Sequence, residues 1–370
     1  MSNTDIKSYI SSFKNRLDGF ISDYLDKLID ERAENEAVAR LYTLFNDASA
    51  GGKCIRASLV KLGYEIISGR AASDEILPAA AAFEVFQTGV LGHDDIIDRS
   101  PLRRGRDSIW RAACRAAAQA EDGADTDIDG EARHYGVSQA ICLGDIGIIL
   151  ANRLVAESGF TPERRLAAAA VFHDVQLNTL DGEMLDVYLS RRKSYGDETG
   201  ILQMTRLKTA WYTVIGPMQL GAVLAGAGED TKRHIEEFGT ALGLAFQMKD
   251  DILGVKASVI ETGKSNTSDI AEGKVTLLAH YALRKASPNE RARLLSIYGK
   301  GGISELDRQT VISIFESAGA FDAITKKAEN YLAGAREKIP FLTQNTTHAA
   351  LLNQLVDLMF FPKEDKNDRT

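Results

Sequence analysis

Cysteine is scarce in this chain of 370 residues: Cys54, Cys114 and Cys142 are odd in number and lack the close paired spacing of a zinc site or a disulfide framework. A reducing compartment is expected. Basic residues are also short, 44 Lys and Arg against 52 Asp and Glu, giving a net charge of −8 and a pI near 5.4. That balance argues against a nucleic-acid partner, whose phosphates call for a basic surface. No apolar run is read as approaching the ~18 residues of a membrane span. The stretch Met1 to Leu17, with Asp5 and lysines among polar residues, does not read as an export signal. The expectation is a cytoplasmic protein without a membrane span. Prolines number seven, so little interrupts long helices.

What is present is helical periodicity, in a composition of 44% hydrophobic and 26% charged residues that suits a globular protein. Candidate helices cover about 4–30, 33–46, 53–68, 75–98, 107–120, 136–158, 162–189, 197–225, 231–254, 273–285, 289–298, 304–317, 319–337 and 346–358. The fold class is all-α, read as a single domain over 1–370 with an acidic loop insertion at about 121–131 and a disordered tail at about 361–370. Within that loop, Asp125 to Gly130 imitates the opening of a calcium loop. The position of its bidentate Glu is Gly136, so the calcium reading fails there.

Two acidic clusters carry the chemistry. In His93-Asp94-Asp95-Ile96-Ile97-Asp98, Asp94 and Asp98 stand one helical turn apart on one face, after an apolar run from Val85. Like charges at that spacing make sense around a hard cation with a preference for oxygen ligands. In Phe246-Gln247-Met248-Lys249-Asp250-Asp251, Gln247, Asp250 and Asp251 share a face, and Gly254 stands one turn beyond Asp250. Asp250 is expected to ligate metal and Asp251 to support it. Seven cations accompany the clusters: Lys53 and Arg56 after Gly51-Gly52, Arg103 and Arg104 after the first acidic helix, then Lys208, Lys264 and Lys274. Arginine forks and lysine point charges at such places suit phosphates, and their number suggests two polyanions.

The strings Gly51-Gly52-Lys53-Cys54-Ile55-Arg56, Asp94-Asp95-Ile96-Ile97-Asp98 with Arg103-Arg104-Gly105, Gly144-Asp145, Gly182-Glu183-Met184-Leu185-Asp186, Lys208-Thr209-Ala210, Phe246-Gln247 with Asp250-Asp251, and Gly263-Lys264 through Asp269 to Gly273-Lys274 closely resemble the trans-polyprenyl diphosphate synthases over about residues 40–285. The resemblance implies an isoprenoid synthase helical bundle around a central apolar cavity, and a homodimer. It also implies a head-to-tail condensation of isopentenyl diphosphate with an allylic diphosphate. Mg²⁺ would be held by Asp94, Asp98 and Asp250, with Arg103, Lys208 and Lys264 on the allylic diphosphate. Lys53, Arg56, Gln87 and Arg104 would hold isopentenyl diphosphate, and Lys274 would close over the phosphates. Catalytic roles fall by resemblance to Lys208, Thr209 and Gln247. The chain departs from the family pattern at Gly254, which replaces the last Asp of the second motif, at Cys54, where many longer-chain members have Arg, and at Arg106-Asp107.

Product length is read from the helix before Asp94. Gly89 and Val90 lie about 6–7.5 Å up its axis, where fifteen-carbon enzymes of the family usually carry aromatics; here the first large residues are Phe86 and Phe83. Geranylgeranyl diphosphate is the expected product, with a somewhat longer chain next. Two rival functions share parts of the pattern. A class I terpene cyclase would not need the Lys53/Arg56 pair, Arg104 or a second Asp-Asp helix, and a non-catalytic subunit of a heteromeric synthase would tend to lose the metal carboxylates.

Overall fold

A computed structural model describes residues 5–120, 130–256 and 268–360. The acidic stretch 121–129, the segment 257–267 with Lys264, and the tail 361–370 lie outside the described residues. The first helix, α1 (Ile6–Asp30), buries Ile6, Tyr9, Phe13, Leu17, Ile21, Leu25 and Leu28, an apolar stripe at steps of three and four. Next come α2 (Glu36–Ser49), α3 (Ile55–Ser68) and α4 (Leu77–Ile97). The last of these is apolar nearly all round until its charged end, and it is buried accordingly. A two-stranded hairpin, β1 (Leu102–Arg103) with β2 (Arg106–Asp107), leads to α5 (Ile109–Ala120), α6 (Gly130–Ala156) and α7 (Pro162–Arg192).

The single helix expected at 197–225 is three pieces. They are α8 (Glu198–Thr205), a π-helical stretch Arg206–Ile215, and α9 (Gly216–Leu224). Glycines on the flanking helices explain why the wider coil fits: a Cβ at Gly182 of α7 would lie 2.3 Å from the Lys208 backbone nitrogen, and one at Gly243 would lie 2.5 Å from the Ala210 Cα. The chain continues through α10 (Glu229–Lys256), α11 (Ser268–Glu272), α12 (Leu277–Lys285), α13 (Pro288–Ile297), α14 (Glu305–Ser317), α15 (Ala320–Leu342) and α16 (Thr346–Phe360). Reciprocal capping boxes, Ser287 with Glu290 and Ser304 with Asp307, start α13 and α14.

Two buried clusters form the core. One gathers Phe13, Phe45, Phe83, Phe86 and Phe172 from the N-terminal half. The other gathers Phe238, Leu242, Met248, Phe315 and Leu352 from the C-terminal half. The expectation that no segment is apolar enough to span a membrane needs correction. By length and composition α6 is such a helix. Ser138, Gln139, Asp145 and Asn152 interrupt its apolar run, and it packs along α4 and α5, burying Leu143, Leu150 and Leu154. Close approach accounts for its glycines: a Cβ at Gly89 of α4 would meet the Gly144 carbonyl at 2.7 Å and the Gly147 Cα at 3.2 Å.

Candidate active site

The acidic end of α4 forms one wall of a cleft. Asp98 closes the helix with its N–H donating to the Asp94 carbonyl at 2.8 Å. Asp95 is buried, 2% exposed. It accepts from Arg103 Nε at 2.9 Å, while Arg103 Nη2 donates to Asp94 at 2.7 Å. Burial opposes the Arg103 charge, but Asp95 and Asp94 outweigh it and hold the guanidinium firmly protonated. Arg103 reaches them because the hairpin turns tightly, with Arg104 and Gly105 both at positive φ (53° and 73°) between the paired Arg103 and Arg106. A non-glycine residue held in that left-handed region is strained, and the strained residue here is a predicted phosphate ligand.

The π-helical stretch supplies the second wall. Lys208 Nζ donates to Asp186 at 2.8 Å and lies 2.7 Å from Glu183 and 3.5 Å from Asp94, joining α7 to α4. Burial works against its charge, yet Asp186, Asp94 and Glu183 together keep the ammonium charged well above its ordinary range. Burial pushes Glu183 up, and it pushes Asp98 up with the help of Asp94. Glu183 and Asp186 were not among the predicted site residues. Their signal was available, since they sit three apart on one helix face directly after Gly182.

Helix α10 is the third wall. Thr209 Oγ1 donates to Gln247 Oε1 at 2.8 Å, which turns the amide nitrogen to donate to Asp251 at 2.8 Å. Asp250 opens to the cleft, but the surrounding protein pushes its carboxyl up to about 6. Burial takes Asp251 to about 7. Gly254 has a structural reason: a Cβ there would lie 2.3 Å from Asp269 Oδ2, so a carboxylate arriving from α11 fills the space that a side chain at 254 would need. Lys274 spans this carboxylate and the first cluster, 3.7 Å from Asp269 and 3.8 Å from Asp98. Asp269 holds its charge most strongly, against burial and with Asp98 adding to it. Tyrosines fix the backbone beside it, Tyr195 Oη donating to the Gly273 carbonyl at 2.8 Å and Tyr298 Oη to that of Lys274 at 3.0 Å.

The remaining cations gather at the start of α3. Arg56 lies over the Tyr212 ring at 3.9 Å and donates to Thr213 at 3.1 Å. Both its charge and that of Lys53 act on Asp250 across the cleft. Arg104 is exposed beside Gly52, and Gln87 is half-buried on α4. A cavity of about 680 Å³ opens between Asp98, Glu183, Asp186 and Lys274, and another of about 580 Å³ lies beside Asp95, Arg103 and Arg104. Below Asp94, aromatic rings fill the interior: Phe86 packs edge-on against Phe172 (5.7 Å) and Tyr212 (5.8 Å).

Among the described residues no three His, Cys, Asp or Glu side chains gather closely enough to hold a metal ion unaided. The donors nevertheless suit a hard divalent ion that brings further oxygens with it. Asp94, Asp98 and Asp250 are all oxygen ligands, and burial, the main cause of the upward push on Asp98 and Asp250, disfavours their charged forms in a way that a bound cation would offset. This has a measurable pH consequence. The carboxyls of Asp250 and Asp251 ionise at about 6 and about 7 in the folded chain, above the ordinary value near 3.9. The metal-free fold therefore binds more protons than the unfolded chain between about pH 4 and 7, and loses stability as pH rises through that window. The melting temperature should fall from about pH 5 to 7.5, and added Mg²⁺ should raise it more at the higher pH. Replacing both residues by Asn should flatten the slope; an unchanged slope in that variant would refute the assignment.

The sequence pattern of the polyprenyl synthetase family matches residues 38–315. A short chain isoprenyl diphosphate synthase from Methanothermobacter thermautotrophicus is 32% identical, over 82% of this chain and 84% of its own length. A geranylfarnesyl diphosphate synthase from Aeropyrum pernix is 31% identical over 83% and 89%. Among solved structures, the geranylgeranyl pyrophosphate synthase from Corynebacterium glutamicum, complexed with isoprenyl diphosphate and magnesium, superposes with a TM-score of 0.83 at 27% identity, covering 94% of this chain and 98% of that one. The match runs through the acidic clusters and the cations from Lys53 to Lys274, and this chain belongs to the polyprenyl synthetase family.

Proposed function

We propose that this prenyltransferase condenses isopentenyl diphosphate head to tail with an allylic diphosphate, with geranylgeranyl diphosphate as product. The observation that carries the reading is the separation of two cationic groups around one acidic cleft. Arg103, Lys208 and Lys274 stand among Asp94, Asp98 and Asp186, while Lys53, Arg56 and Arg104 stand at the start of α3. Two diphosphates held there face each other. When bound at Asp94, Asp98 and Asp250, Mg²⁺ supplies charge neutralisation for the leaving diphosphate.

The chain's own groups do the rest. Arg103 and Lys208 hold the allylic diphosphate beside the carboxylates; its C–O bond breaks, and the electron pair leaves with the diphosphate. The double bond of isopentenyl diphosphate, held by Lys53, Arg56, Gln87 and Arg104, supplies the electrons of the new C–C bond. A proton is then lost to the departing diphosphate. Thr209 and Gln247, already locked to each other, line the path of the cation, and Phe86, Phe172 and Tyr212 exclude water below it. Lys264 joins the allylic set in this reading.

The same proposal treats the chain as one cytoplasmic domain that pairs as a homodimer. The exposed apolar stripe Leu177, Leu180, Met184 and Tyr188 on α7, beside Ile141 and Ile149 of α6, supports the pairing.

Incubating the protein with Mg²⁺, isopentenyl diphosphate and five-, ten- or fifteen-carbon allylic primers tests the reading. A twenty-carbon diphosphate by mass spectrometry is expected, with a twenty-five-carbon one as the second outcome in view of the A. pernix relative. A cyclised hydrocarbon or no elongation would reject it. Arg104→Ala should raise the Michaelis constant for isopentenyl diphosphate about 10- to 100-fold, the scale of losing charge-assisted hydrogen bonds. The constant for the primer should barely move. Equal effects on both would abolish the division of the sites.

A further inference from the structure

Glu84 is a buried carboxylate that the reaction above leaves without a task. It lies on α4, 8% exposed, where burial pushes its carboxyl up while the charges of Arg56, Arg104 and Lys14 and the Ala57 N–H act to keep it ionised. Its Oε1 accepts from the backbone N–H of Ala57 at 3.2 Å. Ala57 is the third residue of α3, so this bond satisfies one of the donors that every helix leaves unpaired at its start. The residue that normally does this does not. Cys54 precedes α3 in the left-handed region (φ 51°), makes no cap bond, and turns its thiol towards Asp18 at 3.5 Å. A side chain from another helix caps α3 instead.

The other oxygen faces the phosphate-binding loop. A Cβ at Gly52 would lie 3.4 Å from Glu84 Oε2 and 3.8 Å from both terminal nitrogens of Arg104, so carboxylate and guanidinium converge on the same peptide. A neutral side chain would cap α3 with less desolvation cost. A carboxylate here adds something a neutral cap lacks: a counter-charge for Arg56, Arg104 and Lys14, of which the two arginines belong to the diphosphate set.

We propose that Glu84 is a positioning residue for the second diphosphate: by capping α3 from α4 and facing Gly52 and Arg104, it holds Lys53, Arg56 and Arg104 in the arrangement that receives the anion. The inference rests on the assignment of that group to isopentenyl diphosphate. Coulomb's law alone predicts the opposite of positioning, because removing a negative charge from a cationic site should tighten anion binding. The two accounts therefore differ in sign.

The test compares Glu84→Ala, which loses cap and charge, with Glu84→Gln, which keeps an acceptor for Ala57. Isopentenyl diphosphate and inorganic pyrophosphate are titrated into each full-length variant by calorimetry without metal, and both Michaelis constants are measured with Mg²⁺. Glu84→Ala should weaken binding and raise the constant for isopentenyl diphosphate about tenfold, the scale of a lost helix cap. The turnover number and the primer's constant should move less than about twofold, and Glu84→Gln, which keeps the cap and loses the counter-charge, should recover part of the loss. Tighter binding in either variant would overturn the proposal, as would a lower melting temperature with both constants unchanged. If Glu84→Ala does not fold, Glu84→Gln is compared with Glu84→Leu, where the same order is expected. Pyrophosphate binding that responds to Glu84 and Arg104 in a protein that elongates nothing would leave this positioning role standing while rejecting the proposed reaction.

Discussion

Asp94→Ala should lower turnover by about 10³-fold or more while leaving the fold in place. The kinetic part follows from the several kcal/mol that a metal-bound carboxylate is asked to deliver at the leaving diphosphate, about 4 kcal/mol corresponding to that factor. The structural part follows from how the two cations beside Asp94 are shared. Arg103 retains Asp95, and Lys208 retains Glu183 and Asp186, so neither is left as an unpaired buried charge. Asp95→Ala is the contrasting case. It removes two of the three hydrogen bonds that Arg103 makes to these carboxylates and leaves only Asp94, so it should lower the melting temperature as well as turnover. Turnover against Mg²⁺ concentration, read beside thermal melts, checks both; an Asp94→Ala enzyme with undiminished activity would sink the metal assignment.

Much of this site can be read from residue order because its parts are local. Asp94 and Asp98, or Gln247 and Asp251, are brought together by helical spacing alone, and periodicity fixes that spacing. Partners contributed from elsewhere in the chain are harder to see. Nothing local to Lys208 says that it will bond Glu183 and Asp186 on α7, because that contact depends on a helix widened to π geometry and seated against Gly182. Gly254 likewise looks like a missing ligand until Asp269 is found in its space. The strand pair around Arg104 is two residues a side, too short to leave an alternating pattern. In α6, buried Gly and Ala serve close packing, so its apolar length reads as ordinary core.

Product length separates two residues that adjacent numbering had grouped. Val90 lies one turn from Asp94 and one turn from Phe86, on the face where Phe86, Phe172 and Tyr212 pack, and it is only partly buried. Gly89 is turned against α6, where its Cβ would meet backbone at 2.7 Å, and Gly147 makes the reciprocal demand with its own Cβ 2.8 Å from the Gly89 Cα. Of the two residues, Val90 rather than Gly89 is therefore the one at which a larger side chain is expected to act on the tail, with Phe86 about 12 Å along the axis from Asp94 as the next large side chain on that face. Val90→Phe should shorten the main product by at least one five-carbon unit with little change in melting temperature, and Phe86→Ala should lengthen it. Gly89→Phe should instead force α4 and α6 apart, costing about 1–3 kcal/mol or more as overpacking does, so its first sign is lost stability. Product sizing and thermal melts on the three variants decide the matter. A Gly89→Phe protein that melts normally and makes a shorter chain would move the tail to the α6 side of α4 and leave Val90 outside it.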